Sequence, residues 1–239
     1  MRSDNTPNGS ASLKLLLFDI DGTLLLSGGA GKAAMERAFD RIWGLRDALQ
    51  DTPLMGRTDP SIVLEVLKKS QIPPADPDIE KFREYYFWFL EEELDRPRPG
   101  KALCPGILPL LSELREMHDI ELGLLTGNWR YGGLLKLRHF GIDGFFSIGA
   151  FADDSMKRED LVPIAMDRYS KTNGRQLTPD SVFVIGDTPF DIQCGKPHHV
   201  RTVAVATGVH LPDELKAENP DFFFNDLSRT EDVLRVFDG

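Results

Sequence analysis

The stretch Leu13-Lys14-Leu15-Leu16-Leu17-Phe18-Asp19-Ile20-Asp21-Gly22-Thr23 decides how the rest of the chain is read. Residues 13 to 18 have the length and apolar content of a buried parallel strand, and the Asp-Gly beyond them marks a strand tip opening into a loop. Asp19 and Asp21 stand two apart on an extended chain and so face the same way. In open α/β sheets, ligands collect just past such strand ends. Gly22 permits a sharp turn and close approach to a bound anion, and Thr23 adds a hydroxyl beside its own amide. Two carboxylates ~4 Å apart repel by roughly 4 kcal/mol at an effective dielectric near 20, so the pair implies Mg²⁺ or a partner base. A plain Asp-x-Asp-Gly turn is the competing reading. The other strand ends decide between the two.

The chain has 239 residues and an apolar fraction of 41%, enough for one large domain or for a core that carries a smaller one. Its net charge of −10 argues against a nucleic-acid or anionic-membrane partner, both of which need a basic face. Cys104 and Cys194 are isolated, with neither Cys-x-x-Cys nor zinc-like His spacing, which favours a reduced, cytoplasmic setting. Residues 1–11 form a polar tail without the basic start and apolar stretch of a signal peptide. No segment approaches the ~20 apolar residues of a membrane span.

Past the first strand, Met35, Ala38, Phe39, Ile42 and Trp43 recur with helical period, as do Ile62, Val63, Val66 and Leu67. Asp59 is the expected N-cap of the second helix, with Pro60 in its first position. Phe82, Tyr85, Tyr86, Phe89, Leu90 and Leu94 give a third helix between two Pro-rich breakers, and this aromatic face reads as core or self-association surface. From residue 103 the pattern changes. Helices near 107–117, 134–137, 160–171 and 190–195 alternate with strands at 120–126, 145–148, 182–185, 202–206 and 222–224. That alternation predicts a parallel sheet with both faces covered. The expected architecture is α/β, a doubly wound, mostly parallel, Rossmann-like core over 12–29 and 103–239, interrupted by an all-helical cap over 30–102. An insertion placed straight after the Asp19 loop sits above it, where a lid belongs. Gly28, Gly29 and Gly31 are candidate hinges.

Three more strand ends point the same way if the sheet is parallel. Leu125-Thr126-Gly127-Asn128 offers the Thr126 hydroxyl and two amides to a phosphate. Gly186-Asp187-Thr188-Pro189-Phe190-Asp191 places Asp187 at a strand tip and Asp191 four residues on, a source of the hard oxygen ligands Mg²⁺ requires. Equally, Asp187 or Thr188 could serve only to cap the helix at Pro189. Ser155-Met156-Lys157-Arg158 supplies a basic residue to neutralise an anion, or else is a solvated charged loop.

Taken in order, Asp19-x-Asp21-Gly22-Thr23, Thr126, a basic residue and Gly186-Asp187 with a downstream acid resemble the haloacid dehalogenase superfamily, over essentially residues 12 to 239. The resemblance implies that Asp19 is the nucleophile, Asp21 the general acid and base, and Thr126 a phosphate ligand. It further implies that Mg²⁺ is held by Asp19, the Asp21 carbonyl and Asp187, with Asp191 second to them. The superfamily's usual Lys-Pro is absent at Lys157-Arg158. Arg158, nearer the helix start, is the preferred phosphate contact, and Lys157 its rival. The dehalogenase branch has no acid at the position of Asp21, so Asp21 and Asp187 favour metal-dependent phosphate chemistry.

The helical insertion resembles the small cap of the phosphoglycolate phosphatase-like branch. Within Met55-Gly56-Arg57-Thr58-Asp59, Arg57 is the candidate to meet an anionic leaving group, or else the flank of the following helix. The expected activity is that of a Mg²⁺-dependent phosphatase on a small, phosphoglycolate-like phosphate monoester, through an aspartyl-phosphate, in a monomer or homodimer. A phosphomutase acting on a sugar phosphate would use the same residues. A phospho-accepting signalling module would too, but it needs no lid and fits in ~120 residues.

Overall fold

In the computed structural model, which describes residues 13–237, six parallel strands run in the order β5-β4-β1-β6-β7-β8. Chain order is β1 (Lys14–Phe18), β2 (Leu25–Leu26), α1 (Ala30–Trp43), α2 (Asp59–Lys69), α3 (Asp76–Asp95), β3 (Ala102–Leu103), α4 (Ile107–Glu116) and β4 (Ile120–Leu125). There follow α5 (Arg130–His139), β5 (Ile148–Ala150), α6 (Arg158–Asn173), β6 (Val182–Gly186), α7 (Pro189–Gly195), β7 (Arg201–Val205), α8 (Pro212–Ala217), β8 (Phe222–Phe224) and α9 (Thr230–Phe237). The polar tail over 1–11 lies outside the described residues.

β1 is central because Leu15, Leu16, Leu17 and Phe18 are buried on both faces. Leu16 and Phe18 pack with α4 and α9, while Leu15 and Leu17 pack with α6 on the other side. Each such side chain contributes roughly 1.5–3 kcal/mol on leaving water, so this strand alone anchors the sheet. The parallel register sets Phe18 beside Leu124 on one side and Ile185 on the other. Asp19, Thr126 and Asp187 therefore emerge from one edge of the sheet. Strand order reverses at β1, and such a switch point opens a crevice beyond the carboxyl ends.

The chain leaves and returns through a two-residue antiparallel ribbon, Leu25 opposite Leu103 and Leu26 opposite Ala102. Between these strands α1, α2 and α3 pack around Phe39, Val63, Phe82 and Tyr86. The aromatic helix is thus chiefly interior, although Trp88 remains 55% exposed. Trp129, from the loop after β4, completes this helical core with its ring 5.8 Å from Tyr86 and 6.3 Å from Phe82.

Two local expectations are corrected. The strand placed at 145–148 begins at Ile148, and Asp143–Phe145 is a 3₁₀ turn. Phe146 instead turns edge-on to Phe18 at 6.1 Å, so its aromatic surface serves the core rather than a ladder. Asp59 is the first helical residue of α2, with Thr58 in the N-cap position. The Thr58 hydroxyl donates to the Met156 carbonyl at 2.9 Å, which leaves the Asp59 carboxylate available elsewhere. No helix among the described residues is long and apolar enough to cross a membrane.

Candidate active site

Three strand ends and one helix start deliver the polar groups. One carboxylate oxygen from each of Asp19, Asp187 and Asp191 lies within 4.8 Å of the others, and all three residues are buried. Arg158, the first residue of α6, reaches in with Nη2 3.0 Å from Asp19 Oδ1 and pairs also with Asp191 Oδ1. Lys157 occupies the N-cap position and is exposed, so the geometry places Arg158, not Lys157, in the site. An extended backbone at Lys157 turns its side chain outward before the helix starts.

Asp191 has a second task. Its Oδ2 accepts from the Thr188 amide at 2.9 Å and hydroxyl at 2.7 Å, a capping box that starts α7. Thr188 is thus the helix cap, and Asp187 is left to the site. With Oδ2 in the cap and Oδ1 on Arg158, Asp191 acts mainly as the post that orients the guanidinium.

Asp187 is held differently. Thr23 donates its hydroxyl to Asp187 Oδ1 at 2.9 Å, and Asp187 Oδ2 is buried without a hydrogen-bond partner. Two glycines wall this carboxylate: a Cβ on Gly22 would lie 2.2 Å from Asp187 Oδ2, and one on Gly208 1.8 Å. Gly22 also has φ +90° and spends its amide on the Leu25 carbonyl at 2.9 Å. Gly22 and Thr23 therefore seat Asp187, a role other than the phosphate contact expected of them. Burial, with Asp191 and Asp19 as near neighbours, pushes the Asp187 carboxyl well above the usual range. Burial likewise pushes Asp19 up to about 6, with Arg158 pulling the other way and Asp191 and Asp21 adding to the rise. Crowded buried acids with an orphan oxygen are a chemically sound fit for a hard divalent cation.

Asp21 is less enclosed, its side chain 33% exposed toward the cavity. Its Oδ2 accepts from Asn128 Nδ2 at 2.9 Å and pairs with Lys136 Nζ, which also donates to Asn128 Oδ1 at 2.7 Å. Asn128 Nδ2 lies 2.8 Å from the Thr126 hydroxyl, so Thr126, Asn128, Lys136 and Asp21 form one network. Lys136 was not foreseen. Its signal was a lysine amid Leu134, Leu135 and Leu137, on the apolar side of α5, where it is 4% exposed.

The loop before α2 closes over this arrangement. The Gly127 carbonyl accepts from the Asp59 amide at 2.7 Å, and Asp59 Oδ2 accepts from the Trp129 amide at 2.8 Å. The Gly56 carbonyl accepts from Arg158 Nη1 at 3.2 Å. A Cβ on Gly127 would lie 2.2 Å from the Arg57 carbonyl, so Gly127 is there to let the two loops meet. Arg57 itself pairs with Glu65 and donates to the Ser61 carbonyl at 3.4 Å. Burial pushes Asp59 up to about 7, with Lys136 and the Trp129 amide opposing. The cavity, about 340 Å³ and open to solvent on one side, is lined by Asp19, Asp21, Thr126, Arg158 and Asp187 among others.

A parallel switch-point sheet carrying this acid, hydroxyl and guanidinium set defines a class. The profile of the haloacid dehalogenase-like hydrolases matches residues 16–205, and the chain belongs to that family. It is similar along nearly its whole length to a pyrophosphatase PpaX of Oceanobacillus iheyensis, 27% identical over 228 residues that cover 94% of this chain and 97% of the relative. A phosphoglycolate phosphatase of Aquifex aeolicus is 24% identical over 229 residues, covering 95% and 97%. Among solved structures, one described as a predicted phosphoglycolate phosphatase from Haemophilus somnus 129PT superposes with a TM-score of 0.71 at 21% identity, covering 95% of this chain and 99% of that one. That likeness establishes the fold. The chain is a hydrolase of this family, and the Oceanobacillus and Aquifex relatives carry the names pyrophosphatase and phosphoglycolate phosphatase.

Proposed function

We propose that the protein is a Mg²⁺-dependent phosphatase that hydrolyses a small phosphate monoester through an aspartyl-phosphate. The observation that carries the reading is the convergence of Asp19, Asp21, Thr126, Arg158 and Asp187 on one small cavity. In this reading the segment over 30–102 is a cap, and its contacts at Gly127, Trp129 and Arg158 are the means by which water is kept from the reacting centre.

Asp19 is the group placed for in-line attack on phosphorus. Without a cation, burial raises the Asp19 carboxyl, and a bound cation would favour the attacking anion. Arg158 fixes the Asp19 carboxylate and presents positive charge to the phosphoryl oxygens, while its Nε, buried without a partner, is an unused donor. Thr126 contributes a hydroxyl from the neighbouring strand end. As the ester P–O bond breaks, Asp21 gives a proton to the leaving alkoxide. It then takes one from the water that attacks the aspartyl-phosphate and frees inorganic phosphate. Lys136 and Asn128 hold Asp21 for both transfers. Mg²⁺, bound by the side chains of Asp19 and Asp187 and the carbonyl of Asp21, would neutralise the phosphoryl oxygens. Two free buried thiols, Cys104 and Cys194, support the expected cytoplasmic setting.

The direct test is phosphate release from a panel of monoesters with Mg²⁺ and with chelator. Turnover should need the metal and should vanish in Asp19→Asn. Full activity in chelator would end the metal assignment, and an active Asp19→Asn would end the covalent route.

A further inference from the structure

Every charged side chain deep in the cavity is already engaged by another protein group. Arg158 is held by Asp19 and Asp191, Lys136 by Asp21 and Asn128, Arg57 by Glu65 and the Ser61 carbonyl, and Asp59 by the Trp129 amide. Lys32 stands at the rim, half-exposed and 3.8 Å from Glu36. The apolar part of the lining comes from Leu26, Met35, Leu54, Met55 and Ile62, with the ring of Tyr86 beside them. At the mouth Leu26, Met55 and Val209 remain 38%, 41% and 65% exposed, an apolar rim on a polar protein.

This distribution bears on the leaving group. A glycolate or phosphate leaving group would bring a second anion into the cavity. Among the described residues lining the cavity, Lys136 and Arg57 are already paired, the free Nε of Arg158 lies beside the phosphoryl site, and only half-exposed Lys32 could meet it, while burying a charge without a close partner is costly. An uncharged alcohol with a hydrocarbon body meets the opposite situation, because its apolar surface leaves water against Met35, Leu54 and Ile62. The volume of about 340 Å³ is at the lower end of the roughly 300–1,000 Å³ of small-molecule sites, so the body is short.

We propose that the substrate is a phosphate monoester of an uncharged, apolar alcohol, alkyl or aryl, rather than a compound with a second anionic group, such as the ester phosphoglycolate or the anhydride pyrophosphate. The proposal rests on the phosphatase reading above. The reaction balances as ester plus water giving alcohol plus inorganic phosphate, with the Asp21 proton passing to the alkoxide and being recovered from water.

The test is kcat/KM with Mg²⁺ for ethyl, butyl, hexyl and phenyl phosphate beside phosphoglycolate and pyrophosphate. Across the alkyl series kcat/KM should rise by roughly threefold or more per methylene until the chamber is full. Hexyl or phenyl phosphate should exceed phosphoglycolate and pyrophosphate, which carry a further anionic group. A second measurement uses Glu65→Gln, which releases Arg57 without touching the carboxylate floor. Phosphoglycolate should then gain roughly tenfold, the worth of one charge-assisted contact, while hexyl phosphate stays level. Turnover with a flat alkyl series, or a wild-type preference for phosphoglycolate or pyrophosphate, would overturn this inference and leave the phosphatase standing. An unchanged phosphoglycolate rate in Glu65→Gln would also overturn it. No phosphate release from any compound would overturn both.

Discussion

Asp59→Asn should raise the thermal stability of the protein above neutral pH, raise it by a smaller amount at pH 5, and leave it nearly unchanged only below about pH 3.8. Asp59 is 6% exposed and its carboxyl is raised from its usual 3.8 to about 7, first because burial penalises the charged form. Between those two pH values the folded chain holds a proton that the unfolded chain has released, so stability falls as pH rises through the window and the full penalty is present above pH 7. The gap corresponds to about 4 kcal/mol at about 1.4 kcal/mol for each tenfold change. That is an upper bound. Asp59 sits in the first turn of α2 and accepts from Trp129 at the entry to α5, and each helix N-terminus favours the anion by roughly 0.3–1 kcal/mol or somewhat more when buried. Asn keeps an acceptor for the Trp129 amide but loses the attraction to Lys136. A net gain of about 2 kcal/mol at pH 8.5 is therefore expected, or about 4–8 °C in Tm for a chain of this size. Paired thermal melts of wild type and variant at pH 5 and pH 8.5 measure it. An equal shift at both pH values would show that the carboxylate is not penalised by burial, and a loss at pH 8.5 would show that its charge stabilises the clasp.

Saturating Mg²⁺ at a hundred times its Kd should stabilise the folded chain by about 2.7 kcal/mol, read as a rise of about 5–11 °C in Tm, and Asp187→Asn should remove most of that rise. Lys136→Met should lower kcat by roughly 10–100-fold with little change in KM, since it removes charge-assisted hydrogen bonds to Asp21 and Asn128 and not to substrate. A variant in which KM alone rises would place Lys136 on the ligand instead. Gly208→Ala should weaken Mg²⁺ activation by tenfold or more while the protein stays folded, because its Cβ would fall 1.8 Å from Asp187 Oδ2. An unaltered Mg²⁺ titration in that variant would mean the Asp187 carboxylate has more room than the glycine wall suggests.

The sheet was legible wherever hydrophobic continuity and strand burial coincide. β1, β6 and Phe222–Phe224 are short apolar runs, and each became a strand within a residue of its expected bounds. β5 was not legible, because Gly149 and Ala150 have little intrinsic strand preference and are held by the ladder to Leu124 and Leu125. At the site, the motifs named acids that the fold gathers, but they did not say which donors the protein keeps for itself. Thr23 and Gly22 attend Asp187, Gly127 makes room for the loop at Arg57, and Arg57 turns to Glu65, a partner eight residues on that no motif includes. Trp129 is legible only in three dimensions, and Lys136 shows in the sequence only as a lysine among leucines without naming its partner, since each serves a group from a distant segment: Lys136 serves Asp21, and Trp129 serves the aromatics of α3.

Charge explains why these contacts occur together. Asp19, Asp187 and Asp191 place three carboxylates in a buried cluster in which Arg158 is, among the described residues, the one cation bonded to them, so two negative charges remain uncompensated. The raised carboxyls of Asp19 and Asp187 are the signature of that excess. A divalent cation brings the cluster to neutrality, whereas a monovalent one leaves a charge behind. Asp21 stands outside this balance because Lys136 matches it separately. The two acids two residues apart thus have different electrostatic surroundings, one set among carboxylates and a guanidinium and the other tied to a single ammonium. Such a split suits one residue to attack phosphorus and the other to pass protons. In the proposed reading, Mg²⁺ would balance the acidic floor while the buried cations are paired, so discrimination among esters would fall to the apolar side chains that line the cavity.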